Sequence, residues 1–463
     1  MITAARNRVP SSADVVVIGG GPAGSSAANL LAHKGYDVVL LDKTTHPRLT
    51  VGESLLPHFW KYLDALGAAE DIMNAGFIKK SGGTAIWRGN VRQMRLMDFG
   101  YSRPPLHVER GEFDHILLKA AARRGVRVFE RVVARKFESV DASERRVHYG
   151  DLESGEEGEI RCRFVVDGSG QSGVIANQLG FREFDRDLRF MSVWGYFEGG
   201  EYAAQDGLVC PFEKRREIPP TTVQEGIGDW GWCWHIAQKE STSVGLVLPP
   251  SQQAEFKASG ANLEERFVEG CRRVSVVGEL LREATLVPDS LYAIRDFAYH
   301  PTQLAGEGWY LVGDAAAFVD PINSAGVLTA LYTGSAAAHC VDSSLKNASR
   351  SDYYARVYAT LARQRLTLFR LSALPEGHNS YPEDYPIALE AARLDSALEQ
   401  ELLMVQTRLT DRAANLAPLL NLDSRLSYIT SSRYKENVQL KRLNGEPFIA
   451  GRRSGAPAAG IAG

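Results

Sequence analysis

The sequence predicts an α/β fold: a Rossmann-like nucleotide-binding domain, an inserted, mostly antiparallel β-sheet substrate domain, and a helical C-terminal region. Three observations predict it. A β-branched run at Asp14–Ile18 enters a glycine turn and a helix of small residues, and a second apolar strand ends at Asp42. Between Phe190 and Leu248 aromatic and β-branched residues alternate, as in Val193-Trp194-Gly195-Tyr196-Phe197, the pattern of a sheet. Beyond about residue 350, apolar residues recur at helical spacing.

The elements follow in order. Strand, turn, helix (Pro22–Lys34) and strand (Tyr36–Leu41) make a βαβ unit, which implies a parallel sheet covered by helices. Glu112–Arg124 reads as a helix and Val126–Glu130 as a strand. Phe164–Val166 is a further apolar strand that runs into Asp167-Gly168-Ser169-Gly170. Trp309–Val312 returns to the buried-strand pattern before Gly313-Asp314. The nucleotide-binding domain is therefore discontinuous, covering residues 12–185 and 301–345 around a sheet domain at 186–300. Residues 346–445 form the helical region, with one stripe at Tyr354, Val357, Tyr358, Leu361 and Leu368 and another at Leu394, Leu398, Leu402 and Val405. The Gly- and Ala-rich stretch 446–463 is expected to be a flexible tail.

Composition excludes several classes. Among 463 residues, 53 Lys and Arg face 56 Asp and Glu, a net charge of −3, which leaves no basic excess for a nucleic-acid partner. No apolar stretch of about 20 residues offers a membrane span, and the N-terminus has no signal core. A soluble, cytoplasmic protein is expected. The five cysteines are scattered without a C-x-x-C pair, against a disulfide framework or zinc site, and the histidines show no metal-ligand spacing, so no metal is expected. No G-x-S-x-G elbow points to a hydrolase.

Gly19-Gly20-Gly21-Pro22-Ala23-Gly24 contains G-x-G-x-x-G between a strand and a helix. Gly19 permits the tight turn, Gly21 lets backbone amides reach a pyrophosphate, and Gly24 lets helix and strand pack closely. Pro22 and Ala23 open the helix whose N-terminus adds its positive dipole end. Asp42, with Lys43 beside it, is placed to meet an adenosine ribose. No second glycine fingerprint exists for a nicotinamide cofactor. Asp314 could instead hold the ribityl chain of an FAD anchored upstream, and Arg110, opening a helix, could contact the same dinucleotide. FAD is the expected cofactor.

With Gly19–Gly24, Asp167–Gly170 and Gly313–Pro321 in this order, the chain resembles flavoproteins of the glutathione-reductase-like FAD group over roughly residues 12–345. Three further segments resemble the flavin-dependent halogenases. Trp232-Cys233-Trp234-His235-Ile236-Ala237 is similar to their W-x-W-x-I-P motif between the FAD site and the substrate chamber. Phe318-Val319-Asp320-Pro321-Ile322-Asn323-Ser324-Ala325-Gly326 matches F-x-x-P-x-x-S-x-G, which borders flavin and halide. Thr50–Ser54 with Lys80-Ser81-Gly82-Gly83 is similar to the strap and lysine loop of the halogenases that act on phenols and pyrroles.

The resemblance implies an O2-using enzyme in which reduced flavin forms a hydroperoxide and a halide opens it to hypohalous acid. Lys80, rather than Lys79, would direct that oxidant to an electron-rich phenol, pyrrole or indole. Glu53 is a candidate base near the flavin, or a loop-capping carboxylate, and Ser54 accompanies it. Ser324 joins Lys80 and Glu53 as a candidate catalytic residue. Pro321, Ala325 and Gly326 would border the flavin, while Trp232, Trp234 and Phe318 would wall the substrate chamber. His235 points away from both tryptophans and is expected to be a hydrogen-bonded structural histidine.

Ala237 stands where the family has Pro, and Asn323 replaces the aromatic or apolar residue expected before the Ser. Halogenation is favoured, with hydroxylation as the alternative, including hydroxylation of a tryptophan in a peptide or protein during quinone-cofactor biogenesis. Further alternatives are an isoprenoid double-bond reductase and a non-enzymatic FAD-bound scaffold. The expected partners are an aromatic small molecule, or a carrier-tethered or peptidyl substrate, and a separate flavin reductase or other electron donor.

Overall fold

Val15–Ile18, four apolar residues in a row, form the centre of a six-stranded sheet. This strand pairs in parallel with Phe164–Asp167 on one side and Val38–Asp42 on the other. Trp309–Leu311 and Arg127–Glu130 extend the parallel ladder outward, and the short Ala305–Gly306 strand closes one edge antiparallel. Both faces of the central strands are covered, which is why they read as unbroken apolar runs rather than alternation. The structure, a computed structural model, describes residues 8–260, 262–374, 384–394, 397–412 and 433–450.

Helices Pro22–His33 and Gly326–Lys346 pack on each other beside this sheet, and Ser26 Oγ lies 3.2 Å from Ser335 Oγ. Both helices are rich in Ala, Gly and Ser, so their axes can come close. Each begins at a loop that reaches the site.

The second sheet has nine strands among the described residues. Met191–Glu198, Thr242–Leu248, Gly231–Ala237 and Thr221–Ile227 are consecutive antiparallel neighbours. The sheet is not built from 186–300 alone. Gly82–Trp87 joins Thr221–Ile227 in parallel, Asn90–Arg95 follows it, and Tyr434–Lys435 lies at the far edge. The first sequence segment is thus shared between the two sheets. Gly82–Trp87 is buried along its whole length but opens on two glycines, which carry little strand signal. A Cβ on Gly82 would meet the Met94 carbonyl oxygen at 1.8 Å, so only glycine allows this close pairing.

The helical region covers the cavity side of the second sheet. Leu368, Leu371 and Leu374 pack with Trp232, Trp234, Ile236 and Phe297 in one buried cluster. Arg370 Nε donates to Asp185 Oδ2 at 2.9 Å. Glu399 on helix Ala397–Leu409 accepts from Lys61 Nζ at 2.6 Å and Arg365 Nη1 at 2.9 Å, tying that helix to two others. Leu402 and Val405 are buried as the helical spacing predicts, whereas the side chains of Leu394 and Leu398 lie outside the described residues. The first residues of the expected flexible tail are held in place. Arg442 Nη1 donates to the Pro447 carbonyl at 2.6 Å and its guanidinium lies over Phe448 at 5.2 Å, which anchors 446–450; residues 451–463 lie outside the described residues. No helix among the described residues is long and apolar enough to cross a membrane.

Candidate functional site

A cavity of about 600 Å³ lies between the two sheets, and nearly all of the sequence-predicted site residues line it. Gly19, Gly21, Pro22, Ala23, Asp42, Lys43, Glu53, Ser54, Arg110, Trp232, Trp234, Asp314, Phe318, Pro321, Ser324, Ala325 and Gly326 share this wall. Gly24 and Lys80 do not; each stands directly behind it.

At the glycine loop, Gly19 has φ +95°, and a Cβ there would meet the Gly168 carbonyl oxygen at 2.3 Å. A Cβ on Gly24 would lie 1.9 Å from the Gly19 carbonyl oxygen, so Gly24 sets the closeness of helix to turn. The helix starts at Pro22, and its first amides have no partner within the helix. Asp42 serves the loop as well as the cavity. Its Oδ2 accepts from Gly20 N–H at 2.7 Å, and its Oδ1 accepts from the Thr44 amide and hydroxyl, each at 2.7 Å. Lys43 Nζ reaches across to Ser172 Oγ at 2.7 Å.

Arg48, which the sequence motifs do not mark, faces this loop. Its Nη1 donates to Thr50 Oγ1 at 2.8 Å, Nε is buried without a hydrogen-bond partner, and Nη2 lies 3.4 Å from where a Gly21 Cβ would stand. A free donor beside helix-start amides is what a pyrophosphate requires. Burial raises the Asp314 carboxyl to about 6, against the pull of Arg110 and Arg182. The residues present therefore fit FAD.

Arg110 is more committed than the sequence suggests. Its Nε and Nη2 pair with Asp114 at 2.9 and 3.0 Å, and its Nη1 donates to the Val51 carbonyl at 2.8 Å. Its principal contacts hold the strap that carries Glu53 and Ser54. Glu53 is buried, accepting from Tyr196 O–H at 2.9 Å and from the Gly52 amide at 2.8 Å, and burial raises its pKa. Tyr196 has no motif signal; it comes from the second sheet.

Three backbone segments run side by side behind Ser54. Leu55 N–H donates to Leu106 O at 2.9 Å, Val108 N–H to Glu53 O at 2.8 Å, and Lys80 N–H to Pro105 O at 3.1 Å. Ile78 pairs with His107 across an antiparallel ladder. This brings together Ser54, Lys80 and His107, and Thr222 enters from the large sheet opposite Gly83. Lys80 is 3% exposed while Lys79 points to solvent. Lys80 Nζ donates to Ser54 Oγ at 2.6 Å and to Thr222 Oγ1 at 3.3 Å. Ser324, held at φ +54°, donates from Oγ to Ser54 Oγ at 3.0 Å. Burial without a neutralising carboxylate lowers the Lys80 pKa to about 7.

Trp232, Trp234 and Ile236 face the cavity from one strand, the tryptophan rings 5.7 Å apart and tilted 48°. Cys233, between them, packs into the core on the other face. Trp194, Ile294 and Phe297 complete an apolar wall. His235 points away, as the alternation requires, and burial lowers its pKa to about 4, against the pull of its own backbone and that of Glu201. No group of three or more His, Cys, Asp or Glu among the described residues could hold a metal ion.

The chain is similar to several known proteins. A family described as an FAD binding domain matches residues 12–198. A tryptophan 2-halogenase of Chondromyces crocatus is 35% identical over 360 residues, covering 76% of this chain and 66% of the relative. A flavin-dependent halogenase of Armillaria mellea is 34% identical over 356 residues, covering 73% of this chain and 69% of the relative. The chain thus spans about two thirds of the length of these relatives. Among solved structures, a myxobacterial chondrochloren halogenase superposes with TM-score 0.72 at 26% identity, covering 91% of this chain and 96% of that one.

Proposed function

This chain belongs to the flavin-dependent halogenase family of FAD-dependent oxidoreductases, and we propose that it halogenates an electron-rich aromatic ring. When bound and reduced, FAD supplies the electrons with which oxygen converts a halide into an electrophilic halogen species. The glycine loop, Arg48 and Asp314 bind and orient that cofactor. Trp232, Trp234 and Phe318 exclude water and offer an apolar berth to a phenol, pyrrole or indole.

The observation that carries the reading is Lys80: a buried lysine with no carboxylate partner among the described residues, reaching the cavity through Ser54 and Thr222. Buried amines without counter-ions are costly and mark sites where a proton is held or moved. Lys80 offers N–H donors along Ser54 to an oxidant at the wall, and Ser324 Oγ–H orients the same hydroxyl. Glu53 can hold a proton at the carboxyl oxygen it shares with Tyr196. The relatives reported above are halogenases, and the hydroxylase, isoprenoid-reductase and scaffold alternatives gain no support from them.

The test supplies the FAD-loaded protein with a flavin reductase, NADH, oxygen and bromide, together with a panel of phenols, pyrroles and indoles. A bromine isotope pair in the product, absent with Lys80→Ala, is the expected result. Addition of oxygen mass regardless of bromide would replace halogenation with hydroxylation.

A further inference from the structure

We propose that Thr222 and His107 are positioning residues for Lys80, joined to it in a directional hydrogen-bond circuit that governs the lysine's proton at the cavity wall. The inference rests on the function proposed above for what the lysine does, but not for the circuit itself.

The direction of every bond follows from its ends. The Ala237 carbonyl can only accept, so His107 Nδ1, 2.9 Å away, carries the proton. Burial, the Lys80 charge and His235 keep His107 neutral, its pKa well below the ordinary value. Its Nε2 is then an acceptor, and Thr222, at 2.8 Å, must donate its only hydroxyl proton there. Thr222 Oγ1 is left with two lone pairs. Ser54 Oγ–H at 2.9 Å and Lys80 Nζ–H at 3.3 Å fill them. Ser54 has given its proton to Thr222, so its own two lone pairs take Lys80 Nζ–H at 2.6 Å and Ser324 Oγ–H at 3.0 Å. Thr222 and Ser54 each donate once and accept twice, so the circuit closes around Lys80. Reversing any one bond would set two donors or two acceptors against each other.

The terminus at Ala237 therefore orients acceptors toward Lys80 through two intermediates. The facing titratable groups are few. His107 and His235 lie on the far side, and Glu53, one residue before Ser54, turns its carboxyl to Tyr196 and Gly52 instead. Hydroxyl lone pairs, not a counter-ion, hold the ammonium.

The test uses the FAD-loaded protein labelled with carbon-13 at the lysine ε-carbon, titrated by NMR, with Lys80→Met to assign the signal. The variants are Thr222→Val, Thr222→Ser and His107→Leu, and flavin content reports that each is folded. The Lys80 midpoint is expected to fall by about one pH unit in Thr222→Val, which removes an acceptor aimed at the charge, and in His107→Leu, which frees the Thr222 hydroxyl to turn its proton toward it. Thr222→Ser should restore it. In brominating turnover the alkaline limb of the pH profile, where the ammonium is lost, should move with the midpoint. Midpoints unchanged in both Thr222→Val and His107→Leu would overturn the proposal. If His107→Leu fails to load FAD, the Thr222→Val and Thr222→Ser pair decides. If the midpoints move but no ring is brominated, the proposed function falls and the circuit stands.

Discussion

The two halves of the site are built differently. The dinucleotide cradle is local and made chiefly of backbone: Gly19 to Gly24, the first turn of one helix and Asp42 at the end of the next strand. The lysine cluster is non-local and made of side chains, drawing Ser54, Lys80, His107, Thr222 and Ser324 from five separate stretches. In the first, missing side chains create the function, because a Cβ would fill the space that the backbone and a phosphate need. In the second, functional groups are useful only because three short segments and one long sheet strand are zipped together behind the wall. A cradle of this kind should fail abruptly when atoms are added, and a cluster of this kind should respond gradually to pH.

The largest expected effect therefore lies in the cradle. Gly24→Val places carbon against the Gly19 carbonyl oxygen and should cost about 3 kcal/mol or more of stability. Its urea unfolding midpoint and flavin absorbance are expected to drop together. A variant that still bound FAD with unchanged stability would break the contrast.

Lys80→Met should remove halogenation yet stabilise the fold. The folded lysine loses its proton near pH 7 while the unfolded chain keeps it to about 10.4. Across that window the unfolded state binds more protons, so wild-type stability rises with pH by up to about 1.4 kcal/mol per unit. Lys80→Met should lack that rise and be more stable than wild type at pH 7, by a few kcal/mol. Equal slopes from pH 7 to 10 would mean that the lysine is not buried as a charge.

His235 gives the opposite edge of the pH range. Its depressed pKa of about 4 means that the unfolded chain gains a proton between about pH 6.5 and 4 that the fold does not. Stability should fall as pH drops through that window, and His235→Leu should recover about 2 kcal/mol near pH 4. Denaturant melts at pH 4 and pH 7 measure it, and an unchanged difference between them would count against a desolvated ring. The smallest effect is the neighbour control. Lys79→Ala, changing an exposed lysine next to the buried one, should alter neither turnover nor stability beyond about 0.5 kcal/mol.

Much of the cradle was legible because its signal is short-range. Glycine spacing, strand period and a terminal acid are properties of about 30 consecutive residues. The tryptophan pair was legible for the same reason, since alternation assigns Trp232 and Trp234 to one face wherever the strand lies. Arg48, Tyr196, Thr222 and His107 were not, for each occupies an ordinary position in its own segment and gains meaning from a partner far along the chain. The shared sheet was missed because Gly82–Trp87 opens on two glycines, which carry little strand signal.

The sequence by itself determined the cofactor class, the βαβ entry, the run of motifs and the choice of residues that could touch a flavin. Only the tertiary structure decided that Lys80 stands one hydroxyl layer behind the wall, that His107 reaches Thr222 beside it, and that His235 is buried. The physical reason is one of range. Backbone conformation and side-chain period are set by neighbours in the chain, whereas burial, proton affinity and hydrogen-bond direction are set by whatever packing brings within about 3 Å.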